Sequence, residues 1–250
     1  MPRRPMRLSA PAPITDALRA RRPDLWYSLL YAPPDARTAL IAVYALCAEL
    51  LRIARYPGIT EIAAVRLAWW GEELAQPPDR AQHPLTRALY EAAPWLAADP
   101  ALRRFLEALR KEQNATPYAT PADLAAACCT AWQPVVALTA RILGVGIDAA
   151  FLDDLAIGLD LTQRLPDLGR GLLRPEPAGL DDRVTGALAA QAAWHLAQAT
   201  GPLPRVLATQ VRFARALLTE WRRSPARPLG TRITLTPMRM IWIATFMRGS

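Results

Sequence analysis

Apolar residues recur every three or four positions along most of the chain, and prolines mark where that rhythm starts and stops. Between Pro34 and Tyr56, the side chains of Val43, Leu46, Leu50, Ile53 and Ala54 make one face, with Glu49, Arg52 and Arg55 on the strip beside it. Pro33-Pro34 before this segment and Pro57-Gly58 after it are expected helix boundaries. Thr60 is placed to cap "EIAAVRLAWWGEELAQ", and Asp99-Pro100 opens "ALRRFLEALRKEQ". Thr120-Pro121 with Asp123 caps a longer helix that should bend near Pro134 and stop at Gly144. Asp148 caps "AAFLDDLAIGLDLTQRL", which halts at Pro166 before the loop "PDLGRGLLRPEPAG". Further helices are predicted over 181–199 and 203–223, and a last one starts at Thr236-Pro237. Only "RITLT" alternates like a strand, and it is too short to found a sheet. The pattern predicts an all-α chain of about eight to ten helices, without internal repeats.

A length of 250 residues suits one hydrophobic core. The expected division is a basic lead over 1–21, without fixed structure, and a single helical domain over 22–250. With 52% hydrophobic and 21% charged residues the composition is that of a globular protein. The formal charge of +8 comes almost wholly from arginine, since Lys111 is the single lysine. Arginine keeps its charge under burial and grips phosphate or carboxylate in a fork, so an arginine-rich chain suits anionic partners. No compact Lys/Arg run of the kind that binds nucleic acid is present.

Three cysteines (Cys47, Cys128, Cys129) and two histidines (His83, His195) make neither a disulfide framework nor a zinc site, and imply a reducing compartment. No stretch reaches the ~20 apolar residues of a membrane span, and the N-terminus lacks the apolar core of a secretory signal. A cytoplasmic location is expected. The C-terminal "PMRMIWIATFMRGS" is a short apolar helix bracketed by Arg239 and Arg248, which would suit peripheral attachment to the inner membrane through residues 237–250, or packing against the bundle. Trp69-Trp70, Trp194 and Trp221 are expected in the core or lining the cavity, and His83 at a helix start. No Ser or Cys stands in a triad with either histidine.

Several segments together resemble the squalene/phytoene synthase family. "DLWYSLLYAPPDARTALIAVYALCAEL" looks like its first two helices, "EIAAVRLAWW" followed by "HPLTRAL" like the next region, and "IGLDLTQRLPDLGRGLLRPEP" like its second metal-motif helix and the loop after it. The resemblance runs from about residue 22 to the C-terminus. It implies the all-α isoprenoid synthase fold, a helical bundle around a central cavity. Active members join two prenyl diphosphates head to head, ionising one with magnesium held between two aspartate-rich helices. The chain also resembles the complex I assembly factor that carries a squalene/phytoene synthase-like domain.

Carboxylates at i and i+4 share one helical face, with Cβ atoms roughly 5–6 Å apart, and can chelate Mg²⁺ that also binds the leaving diphosphate. Here the family's first motif matches Leu51, Arg52 and Arg55, and only Glu49 remains nearby. In the second, Asp160, Thr162, Gln163 and Asp167 correspond, but Gly171 stands where another aspartate is expected and Pro166 where the family has arginine. Asp153 and Asp160 would be about 10 Å apart along a helix, too far to share an ion. The expectation is a non-catalytic member without a metal or other cofactor. It would bind a prenyl diphosphate or anionic lipid through Arg52, Arg55 and Arg66, with Tyr44 and Gln163 at matching positions near the cavity, or act with a protein partner in assembling a membrane complex. The alternative is an active prenyltransferase using Mg²⁺, in which Asp167, Asp160 and Glu49 would have to suffice, with or without a partner subunit.

Overall fold

Helix α3, Pro34–Arg55, is the axis of the molecule, with sixteen of its 22 residues buried. In this computed structural model, residues 11–56, 58–168, 176–199, 201–223 and 234–246 are described. Around α3 lie α1 (Ala12–Arg21), α4 (Thr60–Ala75), α5 (Pro84–Ala92), α6 (Ala101–Gln113) and α7 (Pro121–Ile142). Helix α8 (Ala149–Arg164) packs along α7 on one side and α9 (Asp182–Gln198) on another. Helix α10 (Arg205–Arg222) packs on α8, α9 and the short α2 (Pro23–Ser28). Helix α11 (Pro237–Phe246) closes the order against α2 and α10. The described residues contain eleven α-helices and no strand, apart from an isolated bridge between Tyr118 and Pro177.

Local chemistry sets most boundaries. The Thr120 hydroxyl accepts from the Asp123 amide at 3.2 Å while the Asp123 carboxylate accepts from the Thr120 amide at 2.9 Å, a reciprocal cap on α7. That helix runs as one piece through the buried Pro134 to Ile142, and Gly144, at φ +69°, turns the chain out of it. Asp148 caps α8 through the Ala150 and Phe151 amides, and Asp181 caps α9 through that of Val184. Gly58, at φ +62°, follows α3. Helices α8 and α9 approach closely at Gly158, where a Cβ would stand 2.6 Å from Leu196 Cγ and 3.1 Å from the Leu196 amide. The missing side chain lets α8 and α9 touch backbone to side chain.

Three sequence expectations need correction. Residues 12–21 are not an unstructured lead: α1 buries Ile14 and Leu18 in the main core against α3, so the domain begins before residue 22. Thr60 is the first residue of α4, with no side-chain cap at its start. Trp69 and Trp194 are 40% and 57% exposed, so of the four tryptophans expected inside only Trp70 is buried and Trp221 half-buried. Of "RITLT", residues 232 and 233 lie outside the described residues, and 234–236 hold no regular structure.

The main core joins α1 through α10 with leucine, alanine and valine side chains. A smaller apolar cluster of Tyr27, Phe213, Leu235, Met240, Ile243 and Ala244 fixes α11 to α2 and α10. Fully burying each large side chain contributes about 1.5–3 kcal/mol, which is what makes the charges inside this core notable.

Candidate functional site

The last turn of α3 carries Arg55 into the interior, where it meets α6 and α8. Arg55 donates from Nη1 and Nη2 to the two carboxylate oxygens of Asp160 at 2.7 and 2.8 Å, and from Nε to Glu112 at 3.3 Å. One turn beyond Asp160 on α8, Arg164 donates to Asp160 at 3.1 Å from both Nε and Nη2, and to Glu112 through Nη2. Tyr118 donates its hydroxyl to Glu112 at 3.2 Å. The four ionic side chains are 1–5% exposed, so water does not screen them. Two arginines and two carboxylates leave the cluster neutral, as an interior requires. Nη1 of Arg164 is buried without a hydrogen-bond partner among the described residues.

Electrostatics follow from this geometry. Burial alone would raise the Asp160 carboxyl, but Arg55 and Arg164 more than reverse it and hold it well below the usual carboxylate range. For Arg55, burial and the neighbouring Arg164 oppose the charge while Asp160 and Glu112 more than restore it. Burial pushes the Cys128 thiol, beside Asp160, far up.

The other predicted positions surround this cluster without sharing it. Gln163 donates to Asp24 at 3.0 Å, and Asp24 also accepts two bonds from Arg22, at 3.0 and 2.8 Å. Asp167 accepts from the Tyr56 hydroxyl at 2.5 Å, and the Tyr56 phenol is pushed up to about 12 by burial and that carboxylate. Tyr44 is buried, sharing its hydroxyl with Thr139 at 3.0 Å and accepting from Gln210 at 2.9 Å. Glu49 and Arg52 are half-buried and pair with each other at 2.6 Å; Arg21 of α1 also grips Glu49. Arg66 is exposed on α4. The strip that would unite Glu49, Arg52 and Arg55 is therefore divided, Arg55 inward and the other two at the α1 side.

Residues 18–176 match the family model for squalene/phytoene synthase, well over half of the chain. The chain belongs to the squalene/phytoene synthase family. No curated protein matches it. Among solved structures, it is similar to squalene synthase HpnC from Alicyclobacillus acidocaldarius, at 21% identity and TM-score 0.62, over 86% of this chain and 94% of that one. It is also similar to a dehydrosqualene synthase solved in complex with ligand, at 14% identity and TM-score 0.64, over 93% of each chain. Both likenesses show the isoprenoid synthase fold.

Magnesium is the ion this family implies, and the donor set here does not fit it. Both oxygens of Asp160 and both of Glu112 are taken by guanidiniums, those of Glu49 by Arg21 and Arg52, and Asp167 is engaged by Tyr56. Among the described residues no group of three or more His, Cys, Asp or Glu side chains is arranged to hold a metal. No helix of the described residues is long and apolar enough to cross a membrane.

Sequence reasoning named Arg55 and Asp160 but missed Glu112, Arg164, Tyr118 and Tyr56. The Asp160/Arg164 spacing of four on one helix face was the available local signal for one pair. Nothing local marks Glu112, 57 positions from Arg55.

Proposed function

We propose that this family member does not perform magnesium-dependent prenyl transfer and works as a binding or assembly protein at a membrane. The observation that carries this reading is the bidentate Arg55–Asp160 pair. In the family, the helices corresponding to α3 and α8 present carboxylates to metal held between them. Here an arginine from α3 neutralises the α8 carboxylate directly, and a second arginine and Glu112 complete the charge balance. A diphosphate with its magnesium would have to displace a buried, charge-balanced cluster, at the cost of leaving charges unpaired.

The anion-binding role is thereby moved outward. Arg55 has its fork filled by Asp160 in the interior; Arg52 is paired with Glu49 but its side chain is 39% exposed, and Arg66 is also exposed, so an anionic lipid or prenyl diphosphate can approach these two from solvent. Resemblance to the complex I assembly factor supports the assembly role by analogy.

The test is incubation of the purified, folded chain with radiolabelled farnesyl and geranylgeranyl diphosphates, magnesium and NADPH, followed by chromatography of extracted lipids. No hydrocarbon product is expected, and no magnesium-dependent rise in melting temperature. A hydrocarbon product lost on Asp167→Ala would establish the prenyltransferase instead.

A further inference from the structure

Helix α11 is apolar on both sides. Inward, Met240, Ile243 and Ala244 are buried against α2 and α10. Outward, Met238, Ile241, Trp242 and Phe246 follow one another at intervals of three, one and four, and are 79%, 40%, 56% and 68% exposed. An apolar helix of this kind is normally covered on all sides, and a contiguous exposed patch marks a contact surface.

Charge indicates what lies opposite. After Asp182 the chain carries ten arginines and a single acid, Glu220, whereas the first 182 residues carry twenty basic and twenty-one acidic side chains. The whole positive excess of this protein thus belongs to the segment that presents the α11 stripe. Glu220 is itself neutralised, by Arg239 at 2.6 Å and Arg223 at 3.2 Å. Arg205 lies 3.9 Å over the Tyr31 ring, and the Tyr31 hydroxyl is 2.6 Å from that of Thr245 on α11, so a cation borders the stripe. Arg222 and Arg223 are exposed at the end of α10.

We infer that the α10–α11 end of the molecule docks on an anionic lipid surface, with Met238, Ile241, Trp242 and Phe246 entering the headgroup boundary and the surrounding arginines facing lipid phosphate. A second copy of the chain fits less well. A ten-residue helix is about 15 Å long, and its four outward side chains fall short of the roughly 20–30 residues per side of a stable interface. Like charges would also meet across a self-contact. The other exposed apolar run, Ile59 just before α4 and Ile62, Val65 and Trp69 on it, stands beside both Glu61 and Arg66 and lacks the charge excess. The inference holds whether or not the interior turns over substrate.

The experiment is sedimentation of the full chain with vesicles of phosphatidylcholine alone or with an equal part of phosphatidylglycerol. The measurement is made at about 0.1 M and about 1 M salt, between which the Debye length falls from about 10 to about 3 Å. Binding is expected to the anionic vesicles and to drop at high salt. Trp242→Ser with Phe246→Ser, both outward and checked for an unchanged circular dichroism spectrum, should weaken it by about tenfold or more. Ile62→Ser with Val65→Ser should leave it unchanged. The inference is overturned if the wild-type chain ignores anionic vesicles, if the α11 variant binds as well as wild type, or if the α4 variant loses as much. Trp242-dependent dimers in place of vesicle binding would assign the face to a second copy.

Discussion

Arg55 and Asp160, 105 positions apart, meet in a two-pronged contact that ties the end of α3 to the middle of α8 inside the bundle. Each makes its shortest hydrogen bonds with the other, and Glu112 and Arg164 complete the same arrangement from α6 and α8.

Removing one member should therefore cost far more than removing a pair. Arg55→Met leaves Asp160 and Glu112 with one guanidinium between them, Asp160→Leu leaves Arg55 and Arg164 with Glu112 alone, and either should destabilise the fold by about 3–5 kcal/mol. Arg55→Met combined with Asp160→Leu keeps volume and leaves Arg164 facing Glu112, so it should recover most of the loss. Denaturant unfolding of the four proteins in this double-mutant cycle measures it. A single variant as stable as wild type would mean that the cluster is not closed.

Acid should unfold the protein through the same group. The folded Asp160 carboxyl lies below its unfolded value of about 3.9, so its stabilisation is complete above that pH and is lost as pH falls through the folded value. Stability measured in denaturant should be insensitive to this group between about pH 5 and 8 and fall below about pH 4. Asp160→Asn should be less stable at neutral pH and show a shallower acid limb. An identical acid limb in that variant would assign acid sensitivity to other carboxylates.

What could be read from the chain alone divides along the range of the forces involved. The Thr120/Asp123 box, the Asp148 and Asp181 caps and the proline-led start of α3 lie within a few residues of the groups they satisfy, so local chemistry betrays them. Family resemblance then supplied the bundle. Arg55 was placed on a strip with Glu49 and Arg52 because helical period puts them near one another; its burial depends on carboxylates delivered by α6 and α8 from far along the chain. Likewise, an apolar period cannot tell whether anything covers the stripe, and so Trp69 and Trp194 read as interior although they face outward.

Gly158 marks a contact that propensity alone would misjudge. Alanine is the better helix former by about 1 kcal/mol, yet its Cβ here would fall 2.6 Å from Leu196 Cγ. Separation of α8 from α9 would also disturb the helix that carries Asp160 and Arg164. Gly158→Ala is expected to lower stability by about 1–3 kcal/mol, read as a lower melting temperature. Pairing it with Leu196→Ala should relieve part of the clash; if the single variant is more stable than wild type, the two helices yield more easily than this packing implies.

The three thiols offer a test of how tightly the bundle is closed. Cys47 and Cys128 are fully buried, and burial pushes both well above the ordinary thiol range. Cys129 is only half-buried, yet burial and the Asp153 carboxylate beside it push its thiol up to about 12. At pH 8 such a group is thiolate in roughly one molecule in ten thousand, and the thiolate is the reactive form. A disulfide reagent that colours on reaction should therefore show no fast phase with the native chain and three equivalents once it is denatured. A fast single equivalent that Cys129→Ser removes would show that α7 parts from α8 in the folded state, exposing the Cys129–Asp153 contact to water.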